Sequence, residues 1–557
     1  MDVQTAAENS IKWQVVSTDA NGNPTGVDTI PSHGTRNIIV STNSSIKGVE
    51  FKYTNLNPNN LIASSATPVT DKLINTFTSD QVDFIRGDQS KEGSGQPFRE
   101  RQAILGDIVN ARPAYVKNNI DPFSKLYNLP ASQGGGTTYT TYKNSKIARA
   151  EGMLFVGAND GMLHGFRESN GNEEFAFIPR SVLGKLHLLT DKNYPLFHNF
   201  YVDGPLKEAD AYIDAPLLSG AAGTSLRWTN LLMGSTGAGA KAVFALDVSR
   251  PFNMQGKHVM WEVNHLSSGF GELGHVLSEI DTGVTPSGDW VGVFGNGYDS
   301  ASGKASLFLV NLSTGAKIRE LTTNNSTGNG LGGVRLVHNA SSQVIGAYAG
   351  DLKGNVWRFD LSGNSNTDWK NGELLFTAVN ASGVAQAITA APAVFARTDG
   401  KPGYIVVVGT GRLLTNADTL LTPPPPKQSA YGLWDESPFG SVATISTIAG
   451  RSSLVESTSA VDATASGYYK VTASRAINWT TDKGWYFDFS DLPGQKNVYP
   501  VNAVSSTVLL DTIAPKAVSG SCTVDGEVRA ITYVLNPYSG MCHSNFKTLD
   551  TNNDNVV

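Results

Sequence analysis

The chain has 557 residues, of which 57 are glycine and only 17% are charged, and its formal net charge is −6 at pH 7. A nucleic-acid-binding surface needs clustered Lys and Arg, which the sequence lacks, and no run of about 18 apolar residues is present to form a membrane-spanning helix. The abundance of Gly, Ser, Thr and Asn predicts short strands and many turns rather than long charged helices.

Residues 1–97 read as a smaller β-rich segment and linker, with strand-like pieces in WQVVSTDANGNPTGV and RNIIVST. Within it, Asp19-Ala20-Asn21-Gly22-Asn23 has the spacing of a cation loop, but Pro24 and the glycines favour a hairpin loop. A short helix is predicted over Ser79–Ile85, with Ser79 and Asp80 as candidate N-caps. Arg86-Gly87-Asp88 follows it. On an exposed tip this tripeptide is what integrins read, the carboxylate completing a metal site and the guanidinium pairing with an acid. Its place between an apolar and a polar segment fits a structural use of Arg86 better.

From Phe98, the stretch FRERQAILGDIVNARPAYV reads as the opening strand of the main domain, 98–545. Six stretches there repeat one pattern of apolar strand, glycine-rich turn and second apolar strand ending near Asp or Asn. They are LFVGANDGMLHGF from Leu154, LLMGSTGAGAKAVFALDV from Leu231, VGVFGNGYDSASGKASLFLVNL from Val291, IGAYAGDLKGNVWRFDL from Ile345, IVVVGTGRLL with AYGLWD from Ile405, and VLLDTIAP with AITYVLN from Val508. Units of this kind cannot bury their apolar faces alone, so the pattern predicts stacking around an axis. The fold class is therefore all-β, a modified β-propeller of about seven blades with long inter-blade insertions. The turns Gly157-Ala158-Asn159-Asp160-Gly161 and Gly350-Asp351-Leu352-Lys353-Gly354 carry the residues that tolerate positive φ. Recognition on such a platform would reside in insertions such as 422–429, with its stiff Pro423–Pro426 run, and 436–467.

Cys522 and Cys542 flank the hairpin-like TVDGEVRAITYVLNPYSG, so neighbouring strands could bring them within bonding distance; a disulfide and an oxidising compartment are expected, with two free thiols as the alternative. Residues 546–557 begin an EF-hand-like loop: side-chain oxygens of Asp550, Asn552 and Asp554, with the Val556 carbonyl, suit calcium. Asn555 stands where glycine is usual, and the later acidic ligand would fall past Val557. The start, MDVQTAAENS, lacks the basic and apolar regions of a signal peptide, so the chain reads either as cytosolic or as a piece of a longer protein, the second favoured because LDTNNDNVV stops inside an unfinished motif.

No GxSxG, HExxH, P-loop or CxxC pattern occurs, and His164 reads as a satisfied structural histidine rather than a base. The enzymatic rival is a periplasmic quinoprotein-type propeller dehydrogenase, whose blades share this strand–turn–strand style. Those enzymes commonly stack their cofactor on a disulfide between adjacent cysteines, a pair this chain lacks.

FIRGDQS, FRERQAILGDIVNARPAYV, LFVGANDGMLHGF, FYVDGPLKEADAYID, AVFALDV, VFGNGYDSASGKASLFLVNLSTG, YAGDLKGNVWRFDL, VGTGRLL and GWYFDF, in that order, resemble segments of the C-terminal domain of PilY/PilC-type type IV pilus tip adhesins. The resemblance runs from about Asp83 onward. It implies a non-enzymatic protein exported to the cell surface, outer membrane or pilus tip, which supports pilus assembly and adhesion. Major or minor pilins, and host receptors such as integrins, would be its partners. It also implies calcium regulation, which would map to Asp550, Asn552, Asp554 and Val556, and an integrin-binding tripeptide at Arg86–Asp88.

Overall fold

The computed structural model describes residues 31–43, 47–56, 61, 77–101, 103–120, 125–217, 223–324, 326–421, 424–441, 445–461, 469–515 and 529–541. It divides into two compact units, Met1–Ser302 with Phe308–Glu320 and Asn339–Gln343, and Gly303–Leu307 with Leu321–His338 and Val344–Val557.

In the first unit, strands β1 (Ile38–Ser41), β2 (Gly48–Glu50), β3 (Ala114–Val116), β4 (Met153–Gly157), β5 (Leu163–Arg167) and β6 (Glu173–Ile178) form one sheet in the order β2-β1-β6-β5-β4-β3. β1 lies parallel to β6, Ile38 opposite Ala176, so a strand from before residue 97 is hydrogen-bonded into the sheet that follows it. Among the described residues of the long opening stretch, only Ala114–Val116 is strand. β7 (Leu206–Pro216), β8 (Thr224–Ser235), β9 (Ala242–Asp247) and β10 (Val259–Asn264) form an antiparallel meander. β11 (Asp281–Val284), β12 (Trp290–Gly295), β13 (Ser306–Asn311) and β14 (Lys317–Thr322) form a second four-stranded sheet in chain order.

The second unit repeats the design. β15 (Leu331–His338), β16 (Val344–Asp351), β17 (Asn355–Asp360) and β18 (Glu373–Thr377) form an antiparallel meander. β19 (Ala393–Ala396), β20 (Tyr404–Gly409), β21 (Ser429–Asp435), β22 (Val455–Val461), β23 (Tyr469–Ala473) and β24 (Gly484–Asp488) follow in the order β19-β20-β21-β24-β22-β23. β25 (Asn502–Val504), β26 (Thr507–Ala514) and β27 (Arg529–Leu535) complete the strands.

All six sequence repeats are adjacent strand pairs of these sheets: β4–β5, β8–β9, β12–β13, β16–β17, β20–β21 and β26–β27. β9 and β12 are buried along their whole length, which is why they read as near-continuous apolar runs, whereas β26 of the sixth repeat alternates between buried and partly exposed positions. The first repeat packs Phe155 and Leu163 with Phe177 of β6 and with β1 in one apolar cluster, and the fifth packs Val407 with Trp485 and Phe487 of β24 in another.

The repeats share a second device. Five central strands carry a glycine at their last or next-to-last position, followed within two residues by a buried polar side chain: Asn159, Thr236, Asn296, Asp351 and Thr410. Asp351 shows its use. Its Oδ1 accepts from the Lys353 and Asn355 amides at 2.9 Å, and its Oδ2 from Asn329, Asn355 and the Trp357 indole at 2.8–2.9 Å. One buried carboxylate thus closes the β16–β17 turn and anchors the tryptophan of the next strand. Gly354 in that turn has φ +81°, as the turn chemistry predicts, while a Cβ at Gly350 would meet the Ile388 side chain at 2.1 Å.

Candidate functional site

Arg86-Gly87-Asp88 terminates helix α1 (Ser79–Arg86). The helix starts at Ser79 as predicted, but neither Ser79 nor Asp80 caps it. Thr78 is the N-cap, accepting from the Gln81 amide while the Gln81 side chain accepts from the Thr78 amide. At the other end, Gly87 takes the left-handed conformation at φ +111°, and the Gly87 and Asp88 amides donate to the Phe84 and Asp83 carbonyls. The glycine of the tripeptide is therefore what this helix end requires. The half-buried Asp88 carboxylate accepts from the Ser90 amide at 2.9 Å, and hydrogen bonds from Ser90 hold it below the usual carboxylate range against the opposing effect of burial.

Arg86 points inward and is 1% exposed. Its Nε and Nη2 donate to the His33 carbonyl at 2.9 and 2.6 Å, its Nη1 to Phe51 at 2.7 Å, and its Nη2 also to Arg36 at 2.9 Å. Integrin recognition requires a guanidinium free to meet a receptor's acid. Here that group ties the helix end to the segments around β1 and β2.

Arg36, itself buried, donates back to the Arg86 carbonyl at 2.7 Å and grips Glu173 with two bonds of 2.8 and 2.9 Å. Glu173 contacts His164 Nδ1 at 3.1 Å, and His164 Nε2 contacts Asp160 at 3.1 Å. Asp160 also accepts from the Gly106 and Met162 amides. This buried chain of alternating charge connects the tripeptide to the first repeated turn. Burial alone would depress the His164 imidazole, but Asp160 and Glu173 raise its pKa to about 9. Burial pushes both carboxylates up, yet His164 and Arg36 hold them below their ordinary values. An imidazolium already protonated and held by two carboxylates is no general base at neutral pH, so the cluster is a structural clamp.

The structural reading of His164 needed only its place near a turn. Asp160 and Glu173 lie only 4 and 9 positions from His164, but the link onward to Arg36 escaped sequence reasoning, because Arg36 lies 137 positions from Glu173 and no local pattern joins them. Asp550, Asn552, Asp554, Val556, Cys522 and Cys542 lie outside the described residues. Among the described residues, no three His, Cys, Asp or Glu side chains converge as a metal-binding group, and no helix is long and apolar enough to cross a membrane.

Comparison with known proteins agrees with the repeats. The family described as the PilY1 beta-propeller domain matches residues 105–472. The type IV pilus biogenesis factor PilY1 of Pseudomonas aeruginosa strain PAK is 36% identical over 95% of this chain and 46% of its own length. A homologue from Xylella fastidiosa is 32% identical over 85% of this chain and 32% of its own length. The chain therefore spans less than half the length of these relatives. The crystal structure of the P. aeruginosa PilY1 C-terminal domain superposes with a TM-score of 0.61 at 32% identity, covering 80% of this chain and 89% of that one. Shared over nearly its whole length, these similarities and the six strand-pair repeats show that the chain belongs to the PilY1 family and carries its β-propeller domain.

Proposed function

We propose that this chain is the propeller-bearing part of a type IV pilus biogenesis factor that acts outside the cytoplasm, associates with the pilus tip, supports pilus assembly and mediates adhesion. The observation that carries this reading is the 36% identity to a named type IV pilus biogenesis factor over 95% of the chain. The role is non-enzymatic: a rigid set of sheets presents binding loops to pilins and to surface receptors. The relatives' names lend no support to the quinoprotein alternative. A receptor contact through the tripeptide would fall mainly on Asp88, because Arg86 is committed to three carbonyls.

The test is genetic. In a bacterium lacking its own factor, a chimera carrying this chain in place of the resident C-terminal half should restore sheared surface pili and twitching. A folded, exported chimera that restores neither would refute the reading.

Calcium regulation belongs to the same proposal, through Asp550, Asn552, Asp554 and the Val556 carbonyl, because converging oxygens of this kind suit that ion. Calcium would order the loop and shift affinity for a pilin to the extent that the two loop states contact it differently. Calorimetric titration of the full-length protein and its Asp554→Ala variant checks it. Loss of a calcium-binding step in the variant is expected, and equal binding by both would remove the site. A Cys522–Cys542 disulfide is proposed alongside, and mass measurement with and without reductant decides it.

A further inference from the structure

A cavity of about 410 Å³ opens beside helix α1 and is lined in part by Phe84, Arg99, Ile104, Asp107, Leu189 and Tyr194. Its volume falls in the range of ligand sites, and nothing in the pilus reading uses it. The charges on its walls differ in how far they are already satisfied. Arg101 is spent on Glu92 and the Asp88 carbonyl, and Asp160 is spent on the His164 clamp. Asp107 receives His198 at 2.9 Å and Asn159 at 2.9 Å.

Arg99 is the cation among them with donors to spare. Its Nε donates to the Leu189 carbonyl at 2.6 Å, and its guanidinium carbon lies 5.0 Å from the Tyr194 ring centroid and 5.9 Å from that of Phe84. Among the described residues neither Nη group has a hydrogen-bond partner. The fork is thus held in place from one side while its two outer donors stay available, the arrangement that receives a carboxylate with two parallel bonds. Glu100 also borders the cavity and is exposed, so a ligand must outcompete its negative field.

The segment that carries Tyr194 continues into an apolar lip. Leu196 is 84% exposed, Phe197 41% and Phe200 37%. Three large apolar side chains in water within five positions are what an interaction surface shows. Phe197 meets the cavity-lining Tyr194 edge-on with ring centroids 6.1 Å apart, and Tyr194 is the ring over which Arg99 lies. We propose that this cavity receives an acidic side chain of a protein partner, the carboxylate on Arg99 and a flanking apolar side chain on Leu196, Phe197 and Phe200. An acidic sugar would satisfy Arg99 too, but its hydroxyls have no use for an apolar lip, which favours the polypeptide.

The test uses blocked peptides in which one glutamate is flanked by leucines, and the same peptides with glutamine, titrated against the intact chain and followed by amide chemical shifts. Glutamate should bind at least about tenfold more tightly than glutamine. Arg99→Met should bring the two peptides to equal affinity, and Leu196→Ser combined with Phe200→Ser should weaken both alike. Arg99→Lys keeps the charge but not the fork, and should preserve the thermal midpoint while losing most of the discrimination, which guards against a folding defect in the methionine variant. Equal affinity for the two peptides in the wild-type protein, discrimination unchanged in Arg99→Met, or tighter binding of N-acetylneuraminate than of the glutamate peptide would each overturn the proposal. Because the assay contains no pili, its failure leaves the pilus reading standing, and failure of the chimera leaves this one standing.

Discussion

Replacing Arg86 by alanine separates a helix cap from a recognition tripeptide. The guanidinium makes four bonds of 2.6–2.9 Å to three backbone carbonyls. Hydrogen bonds to a charged group contribute at least about 1.5 kcal/mol each, so four sum to roughly 6 kcal/mol. Two effects reduce this. Arg36 lies close enough to repel Arg86, a repulsion the substitution relieves, and water will enter the vacated space. A net loss of about 3–5 kcal/mol remains, the range found when one partner of a buried charged network is removed. Native-state hydrogen exchange is the suitable assay, because it reads the opening of Ser79–Arg86 and Ile38–Ser41 without requiring the whole chain to unfold at once. Protection in both segments should fall together. The Asp88→Ala variant, losing one half-exposed bond to Ser90, should lose no more than about 1 kcal/mol. If Arg86→Ala exchanged within about 0.5 kcal/mol of wild type, the cap reasoning would be wrong and the tripeptide would be free for another use.

Two more predictions concern the buried carboxylate centres. The His164 pKa is raised from 6.5 to about 9 in the folded state, so its contribution is fully present below pH 6.5 and is lost as pH climbs through 9. It amounts to something on the order of 3 kcal/mol, and the slope of stability against pH over that window should flatten in His164→Gln, as denaturant melts at stepped pH would show. At Asp351, substitution by asparagine keeps the shape and one acceptor oxygen but turns an NH2 group toward at least two of the five donors. It should cost about 2–3 kcal/mol, and an unchanged thermal midpoint would show that this carboxylate does not hold the turn.

The sequence by itself determined the strand pairs, because their signals are local. Apolar runs bounded by glycine and Asp or Asn specify a hairpin within about twenty residues, and stacking several such units is the way to bury them. All six appear where the pattern put them. Tertiary structure alone decided what the charged residues do. Arg86 reads identically in sequence whether it reaches into solvent or into a cradle of carbonyls, and only the packing of His33, Arg36 and Phe51 around it makes the choice. The Arg36–Glu173 link, which ties the His164–Asp160 hairpin to the N-terminal strand, and the available fork of Arg99 likewise depend on groups brought together across 137 and 90 positions. A side chain's hydrogen-bond partners, and hence its charge state and its availability, are set by neighbours in space, and chain order does not encode them at any fixed spacing.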